Sequence, residues 1–210
     1  MIRRTALVLA ALAALTGCGS GGSSTVRGTA AGSATLHGAI PSSHDAKPSL
    51  VLTDTSGHRY DFRAETDGRV ALLYFGYTHC PDECPTAMAD LAAALRRVSP
   101  DVRRQVSVVF VTTDPWRDTK PVLRRWLDRF DPSFVGLTGT PSQIRAAEVR
   151  MGMQVSRREP AKKSYGAGRY AVAHFAAVMV YGSDNRLATL YPSGVTPADI
   201  AADLPELVKG

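Results

Sequence analysis

No apolar stretch of this sequence is long enough to cross a bilayer. The longest unbroken run, Ala6 to Leu15, falls well short of the ~20 residues that a spanning helix needs. There is no internal repeat, which excludes solenoids and propellers. No nucleic-acid-binding motif is present, and the net charge of +6, part of it from Arg3 and Arg4, is too modest to argue for a polyanionic partner. Cysteine is scarce. Cys18 stands alone near the N-terminus, Cys80 and Cys84 stand together, and the gap between the pair is wider than that of a Cys-x-x-Cys redox motif.

What is present begins with Arg3-Arg4, the apolar run and Thr16-Gly17-Cys18. Charge, then a short apolar segment, then small residues is the pattern of a removable export signal. Leu15-Thr16-Gly17-Cys18 resembles the bacterial lipobox, which implies cleavage after residue 17 and acylation of Cys18. The expected organisation is a lipoprotein signal peptide over 1–17, a flexible Gly/Ser-rich tether over 18–38 and one folded domain over 39–210. The expected location is the bacterial cell membrane, lipid-anchored and facing the extracytoplasmic side, where disulfides persist. The tether's Gly, Ser, Thr and Ala bury too little apolar surface to order themselves, and a flexible chain from 18 to 34 spans roughly 20–25 Å.

Hydrophobic periodicity orders the domain. Leu50–Thr53 and Arg59–Phe62 flank Asp54-Thr55-Ser56-Gly57, a hairpin with turn residues in place. Val70–Phe75 is continuously apolar, as in a strand covered on both faces, and Gly76 is expected to free the backbone to turn. Pro85–Val98 reads as a helix with Met88, Leu91 and Leu95 on one face; Val106–Thr112 is a second strand. Val122, Leu123, Trp126, Leu127 and Phe130 recur at helical spacing, and Phe134–Leu137 is a short strand. Thr140-Pro141 and Thr196-Pro197 open helices by cap-then-proline, and Ala176–Tyr181 with Arg186–Tyr191 make a hairpin. The basic segment Arg157–Arg169 reads as a surface loop, either solvated or in contact with anionic lipid or an acidic partner. The order is β-α-β-α-β-β-α with an N-terminal hairpin added.

The chemistry lies where the first buried strand gives way to a helix, in Gly76-Tyr77-Thr78-His79-Cys80-Pro81-Asp82-Glu83-Cys84-Pro85. Proline favours the first helical turn, so Cys84 is the expected N-cap, its sulfur facing unpaired N–H groups that favour thiolate. Asp82 and Glu83 oppose a bare thiolate and suit a site completed by a cation. Cys80 is near enough for a disulfide or for two sulfurs on one ion; spacing does not choose.

These residues carry a resemblance. From about Ser49 to Val208 the sequence resembles the thioredoxin-like superfamily and, within it, the SCO/SenC family of copper chaperones for cytochrome oxidase. Phe75 to Pro85 matches the family's cysteine motif nearly residue for residue. Thr113-Asp114-Pro115-Trp116-Arg117-Asp118-Thr119 is similar to its segment with two aspartates, and His174 stands where the family places a histidine ligand. The resemblance implies an α/β, thioredoxin-like three-layer sandwich with a central mixed sheet. It implies copper, as Cu(I) and Cu(II), held by Cys80, Cys84 and His174, and a redox-active Cys80/Cys84 pair able to form a disulfide. It also implies delivery to the copper-bearing subunit of cytochrome c oxidase, with a copper donor protein and an extracytoplasmic thiol reductant as further partners. Ala173-His174-Phe175 departs from the usual Asp-His-Ser, which leaves the acceptor for the second imidazole nitrogen to the backbone or another residue.

The donor set supports copper on its own terms. Thiolates favour Cu(I), an added imidazole accommodates Cu(II), and a structural zinc site takes four protein ligands where this sequence presents three. His79 adjoins Cys80 but is expected to point away; His37, His44 and His58 are expected to be solvated. Asp114 and Asp118 read as helix caps, with Asp118 or Thr119 preceding the helix that contains Pro121, or as groups that order the loop or dock a partner near the cysteines. Met151 and Met153 read as core fillers. The competing function is a thiol–disulfide oxidoreductase acting on exported proteins, which needs the thiols but no imidazole. Reductases of this fold resemble one another in a two-residue gap and a proline facing it, and Tyr170 to His174 contains no proline.

Overall fold

The computed structural model describes residues 36–160 and 170–210. The expected signal peptide, most of the expected tether and Cys18 lie outside them. In chain order the elements are β1 (Val51–Asp54), β2 (Arg59–Asp61), α1 (Phe62–Glu65), β3 (Val70–Gly76), α2 (Glu83–Leu95), α3 (Pro100–Arg104), β4 (Val106–Thr112), α4 (Lys120–Leu127), β5 (Val135–Thr138), α5 (Pro141–Arg150), β6 (Arg157–Pro160), β7 (Tyr170–Ala173), β8 (Val178–Tyr181), β9 (Leu187–Tyr191) and α6 (Pro197–Lys209). Seven strands form one mixed sheet in the order β2-β1-β5-β4-β3-β8-β9, while β6 and β7 pair apart from it. β3, β4 and β5 run parallel, and β1–β2 and β8–β9 are antiparallel hairpins on either side.

All of β3 is buried because both faces are covered. Side chains alternate along a strand, so Val70, Leu72 and Tyr74 meet Met88 and Leu91 of α2, Trp126 of α4 and Leu204 of α6. Ala71, Leu73 and Phe75 meet Phe62 of α1 and Ile144 of α5 on the other side. The result is the expected three-layer thioredoxin-like sandwich. Met153 lies in the second core and Met151 packs against it, as core fillers do.

The cap-then-proline signals are borne out: Thr140 with Gln143 and Thr196 with Asp199 form reciprocal capping boxes on α5 and α6. Four expectations are corrected. The helix after the cysteines begins at Glu83 with Asp82 as N-cap, so Cys84 sits inside the first turn. The basic segment is not loop throughout: Arg157–Pro160 pairs antiparallel with Tyr170–Ala173, while Lys162, Lys163 and Arg169 lie outside the described residues. His37 is not simply solvated, because its Nδ1 lies 2.6 Å from the buried Asp203 carboxylate, which also accepts the His37 backbone N–H. Around it, residues 36–48 follow β9, with Ala39 bridged to Leu190 and Ala46 to Arg186. That segment covers an otherwise open sheet edge. His44, exposed as expected, donates from Nδ1 to the Leu187 carbonyl, and His58 is exposed.

The fourth correction concerns Gly76, whose φ is not positive; it is needed for close approach instead. A Cβ there would lie 2.8 Å from Cys84 Sγ and from the Tyr74 ring. Gly76→Ala is therefore expected to destabilise the fold by about 1–3 kcal/mol, the usual cost of overpacking. Urea denaturation checks this, and an unchanged midpoint would refute it.

Candidate metal centre

The end of β3 and the start of α2 deliver the cysteines, and the residue after β7 delivers His174. One ligand atom from each of Cys80, Cys84 and His174 lies within 4.8 Å of the others. This is the expected constellation, brought together across 90 positions of chain. Cys84 is wholly buried, Cys80 is half-buried, and both are free thiols.

The two sulfurs are unequal. Cys80 Sγ accepts the backbone N–H of Cys84 at 3.4 Å, so the half-buried sulfur, not the expected Cys84, faces the N-terminus of α2. The Cys84 thiol hydrogen-bonds to Cys80 and draws the Cys80 pKa down to about 4, assisted by His174 and by backbone N–H groups and opposed by burial. The hydrogen bond from Cys84, with those from His174 and the backbone, thus favours a thiolate at Cys80 in spite of the acidic neighbours on which the opposite expectation rests. Burial, together with the adjacent Cys80 sulfur, pushes the Cys84 thiol up. At neutral pH one sulfur is a thiolate and the other keeps its proton, which a metal must displace.

The imidazole is oriented for ligation. His174 Nδ1 lies 3.0 Å from the Phe175 carbonyl oxygen, so the neutral ring donates from Nδ1 and leaves the Nε2 lone pair toward Cys84 Sγ, 3.5 Å away. The acceptor that Ala173 cannot supply is therefore the backbone. Tyr77 and Tyr74 stand edge-on to the ring at 5.6 and 6.1 Å. Neither tyrosine was marked by the sequence as a site residue, although Tyr77 lies within the motif. His79 is turned away, its Nδ1 3.1 Å from Thr78 Oγ1 and 3.6 Å from Asp118.

Asp114 and Asp118 are not caps. Thr119 is the N-cap residue of α4. Asp118, fully buried, accepts from the Thr78 backbone N–H at 2.9 Å, the Thr78 hydroxyl at 2.6 Å and the Thr112 hydroxyl at 2.7 Å. The loop that carries Cys80 is thereby tied to the end of β4.

The arrangement matches a known family. The model of the SCO1/SenC family matches residues 39–209. The chain belongs to that family. A Stutzerimonas stutzeri protein named for copper binding is 33% identical over 143 residues, 68% of this chain and 67% of that protein. The chain spans 24% of the mitochondrial SCO1 homologue of Arabidopsis thaliana, with 40% identity over 79 residues, 38% of this chain. Among solved SCO structures, copper-bound ScoI of Bradyrhizobium japonicum aligns with a TM-score of 0.67 and 30% identity over 78% of this chain and 99% of its own. Apo Sco1 of Thermus thermophilus aligns with a TM-score of 0.71 and 31% identity over 82% of this chain and 97% of its own.

The unequal thiols yield a prediction. A thiolate already formed near pH 4 reacts at a rate that stays nearly flat above about pH 6, whereas an ordinary thiol accelerates about tenfold per pH unit until its own pKa. Iodoacetamide at pH 6 is expected to label Cys80 rapidly and to spare Cys84, as read by mass spectrometry of the peptides. A Cys80 rate that climbs tenfold per unit between pH 6 and 8 would contradict the assignment.

Proposed function

We propose that this SCO1/SenC protein binds copper through Cys80, Cys84 and His174 and delivers it to the copper centre of cytochrome c oxidase during assembly. It acts from the extracytoplasmic face of a bacterial membrane, tethered by lipid on Cys18, and its thiol pair also serves to keep the acceptor's copper-binding cysteines reduced. The observation that carries the reading is the convergence of two sulfurs and one imidazole nitrogen within 4.8 Å. Sulfur suits Cu(I), and the nitrogen extends the site to Cu(II). Three protein donors leave a coordination position through which a copper donor protein or the oxidase subunit exchanges ligands, unlike a closed four-ligand zinc site. The copper-bound ScoI neighbour supports the choice of metal. A disulfide form offers no thiolate, so an extracytoplasmic reductant must supply its two electrons.

Anaerobic titration of the purified protein with Cu(I), and separately with Cu(II), tests the reading. One equivalent of each is expected, and a protein that takes up neither sinks it. A second reading, a thiol–disulfide oxidoreductase, is favoured by the half-buried Cys80 and its low pKa; His174 separates the two.

No helix among the described residues is long and apolar enough to cross a membrane. Acyl chains bind lipid with about 0.8 kcal/mol per buried CH₂, and more than one chain holds firmly. Cys18→Ser is accordingly expected to move the protein from the membrane pellet to the soluble fraction. Retention of that variant on salt-washed membranes would refute the anchor.

A further inference from the structure

His174 follows β7, and β7 is not a strand of the main sheet: among the described residues it pairs only with β6. The cysteines, by contrast, issue from the centre of the main sheet through β3. Something must therefore hold the imidazole's strand at the correct distance from the thiols. The turn between β4 and α4 makes contact with both. Asp118 accepts from the backbone and side chain of Thr78, two residues before Cys80. Asp114, 1% exposed, accepts the Tyr170 hydroxyl at 2.8 and 3.0 Å, four residues before His174. Arg117 completes the second grip: it pairs with Asp114, donates from Nη1 to the Tyr170 carbonyl at 3.1 Å and lies 3.6 Å over the Tyr170 ring. The two carboxylates are joined through the backbone, since the Asp118 N–H donates to the Asp114 carbonyl at 3.0 Å.

We propose that Asp114, with Arg117 and Tyr170, is a positioning device for His174, and that the turn 113–119 acts as a splint fixing the thiol-to-imidazole distance. The proposal rests on the copper reading above. Neither aspartate is in the ligand cluster; they act through the residues they hold. Buried charge-assisted hydrogen bonds of this kind are directional and lose much of their strength when a partner is removed. Partners that orient a ligand commonly change metal affinity by roughly 10–100-fold. Because Cu(I) is content with two sulfurs and Cu(II) gains from the nitrogen, loosening His174 must act on Cu(II) selectively.

The discriminating variant is Tyr170→Phe in the full chain, which deletes one hydroxyl and leaves the ring under Arg117. Cu(II) affinity is expected to fall about tenfold and its thiolate-to-copper absorption to shift, with Cu(I) affinity unchanged. Asp114→Ala is expected to lose more than Asp114→Asn, because Asn keeps an acceptor for the Tyr170 hydroxyl. A metal-free readout accompanies these: the His174 ring signals in NMR are expected to shift and broaden in Tyr170→Phe while amide signals of β3 and β4 stay in place. Parent-like Cu(II) affinity, spectrum and His174 signals in Tyr170→Phe and Asp114→Ala would overturn the splint and leave the copper function standing. A parent that binds no copper would overturn the copper function, and the His174 signals would then decide the splint alone.

Discussion

A Cys80→Ser/Cys84→Ser variant is expected to take up no Cu(I), where the parent takes up one equivalent, and the oxidised parent is expected to behave like the variant. In the proposed site Cu(I) is held by sulfur, and a serine hydroxyl is a hard, protonated oxygen that does not replace it. Fold loss is an unattractive explanation in advance: serine is close to cysteine in volume, and at position 84 its hydroxyl keeps a hydrogen bond available to His174, whose Nε2 is 3.5 Å from the present sulfur. Far-UV circular dichroism and the melting temperature establish that the variant is folded. The single variants differ in kind. Cys80→Ser removes the thiolate that is ready at neutral pH, whereas Cys84→Ser removes the sulfur whose proton must leave, so only the parent and Cys80→Ser should release that proton into weakly buffered solution on Cu(I) addition. Unaltered Cu(I) affinity in the double variant would end the proposal that these sulfurs are the site.

His174→Ala is expected to leave Cu(I) bound and to abolish tight Cu(II) binding, with loss of the thiolate-to-Cu(II) absorption. A dithiol reductase would keep its exchange activity in the same variant, because attack on a disulfide needs thiolate character and access. In the parent the effect carries a pH signature. Burial lowers the proton affinity of His174, but the hydrogen bond with Cys80, the Phe175 carbonyl and the Cys80 charge together raise it above the ordinary 6.5. A protonated imidazole is no ligand. Cu(II) affinity in the parent should therefore weaken as pH falls through that raised value and strengthen above it, and His174→Ala should lack that step. Identical Cu(II) spectra and pH profiles for parent and variant would remove His174 from the site and put the reductase first. Ala173→Asp is expected to add little, since the Phe175 carbonyl already occupies Nδ1.

The parts of this fold that were legible are those whose signal is local. β3 announces itself as an unbroken apolar run because it is covered on both faces, and α5 and α6 announce themselves through a capping threonine and a following proline. Ser99-Pro100 carries the same signature and does open α3, but five residues give no apolar period to read. β6 is opaque for another reason. Arg157, Arg158 and Glu159 have no strand alternation, and they are extended because they pair with β7, a tertiary effect that overrides propensity. The site divides in the same way. Both cysteines sit in one short motif, whereas His174 joins them only through the fold and is marked in the sequence by the family resemblance alone. The aspartates were ambiguous because a buried carboxylate that ties two loops together looks, in one dimension, like any cap before a helix.

The segment over residues 36–48 has a mechanical consequence. It meets the main sheet along β9, at the edge, two strands removed from β3. A pull on the chain ahead of Leu36 is met first by the His37–Asp203 pair, then by the bridges at Ala39 and Ala46. Loaded in that direction the edge peels one contact at a time, and the force is spent in unzipping before it reaches the strand that carries the cysteines. Were the chain held at Cys18 as proposed, motion of that end would load this edge before the strand that leads to Cys80 and Cys84.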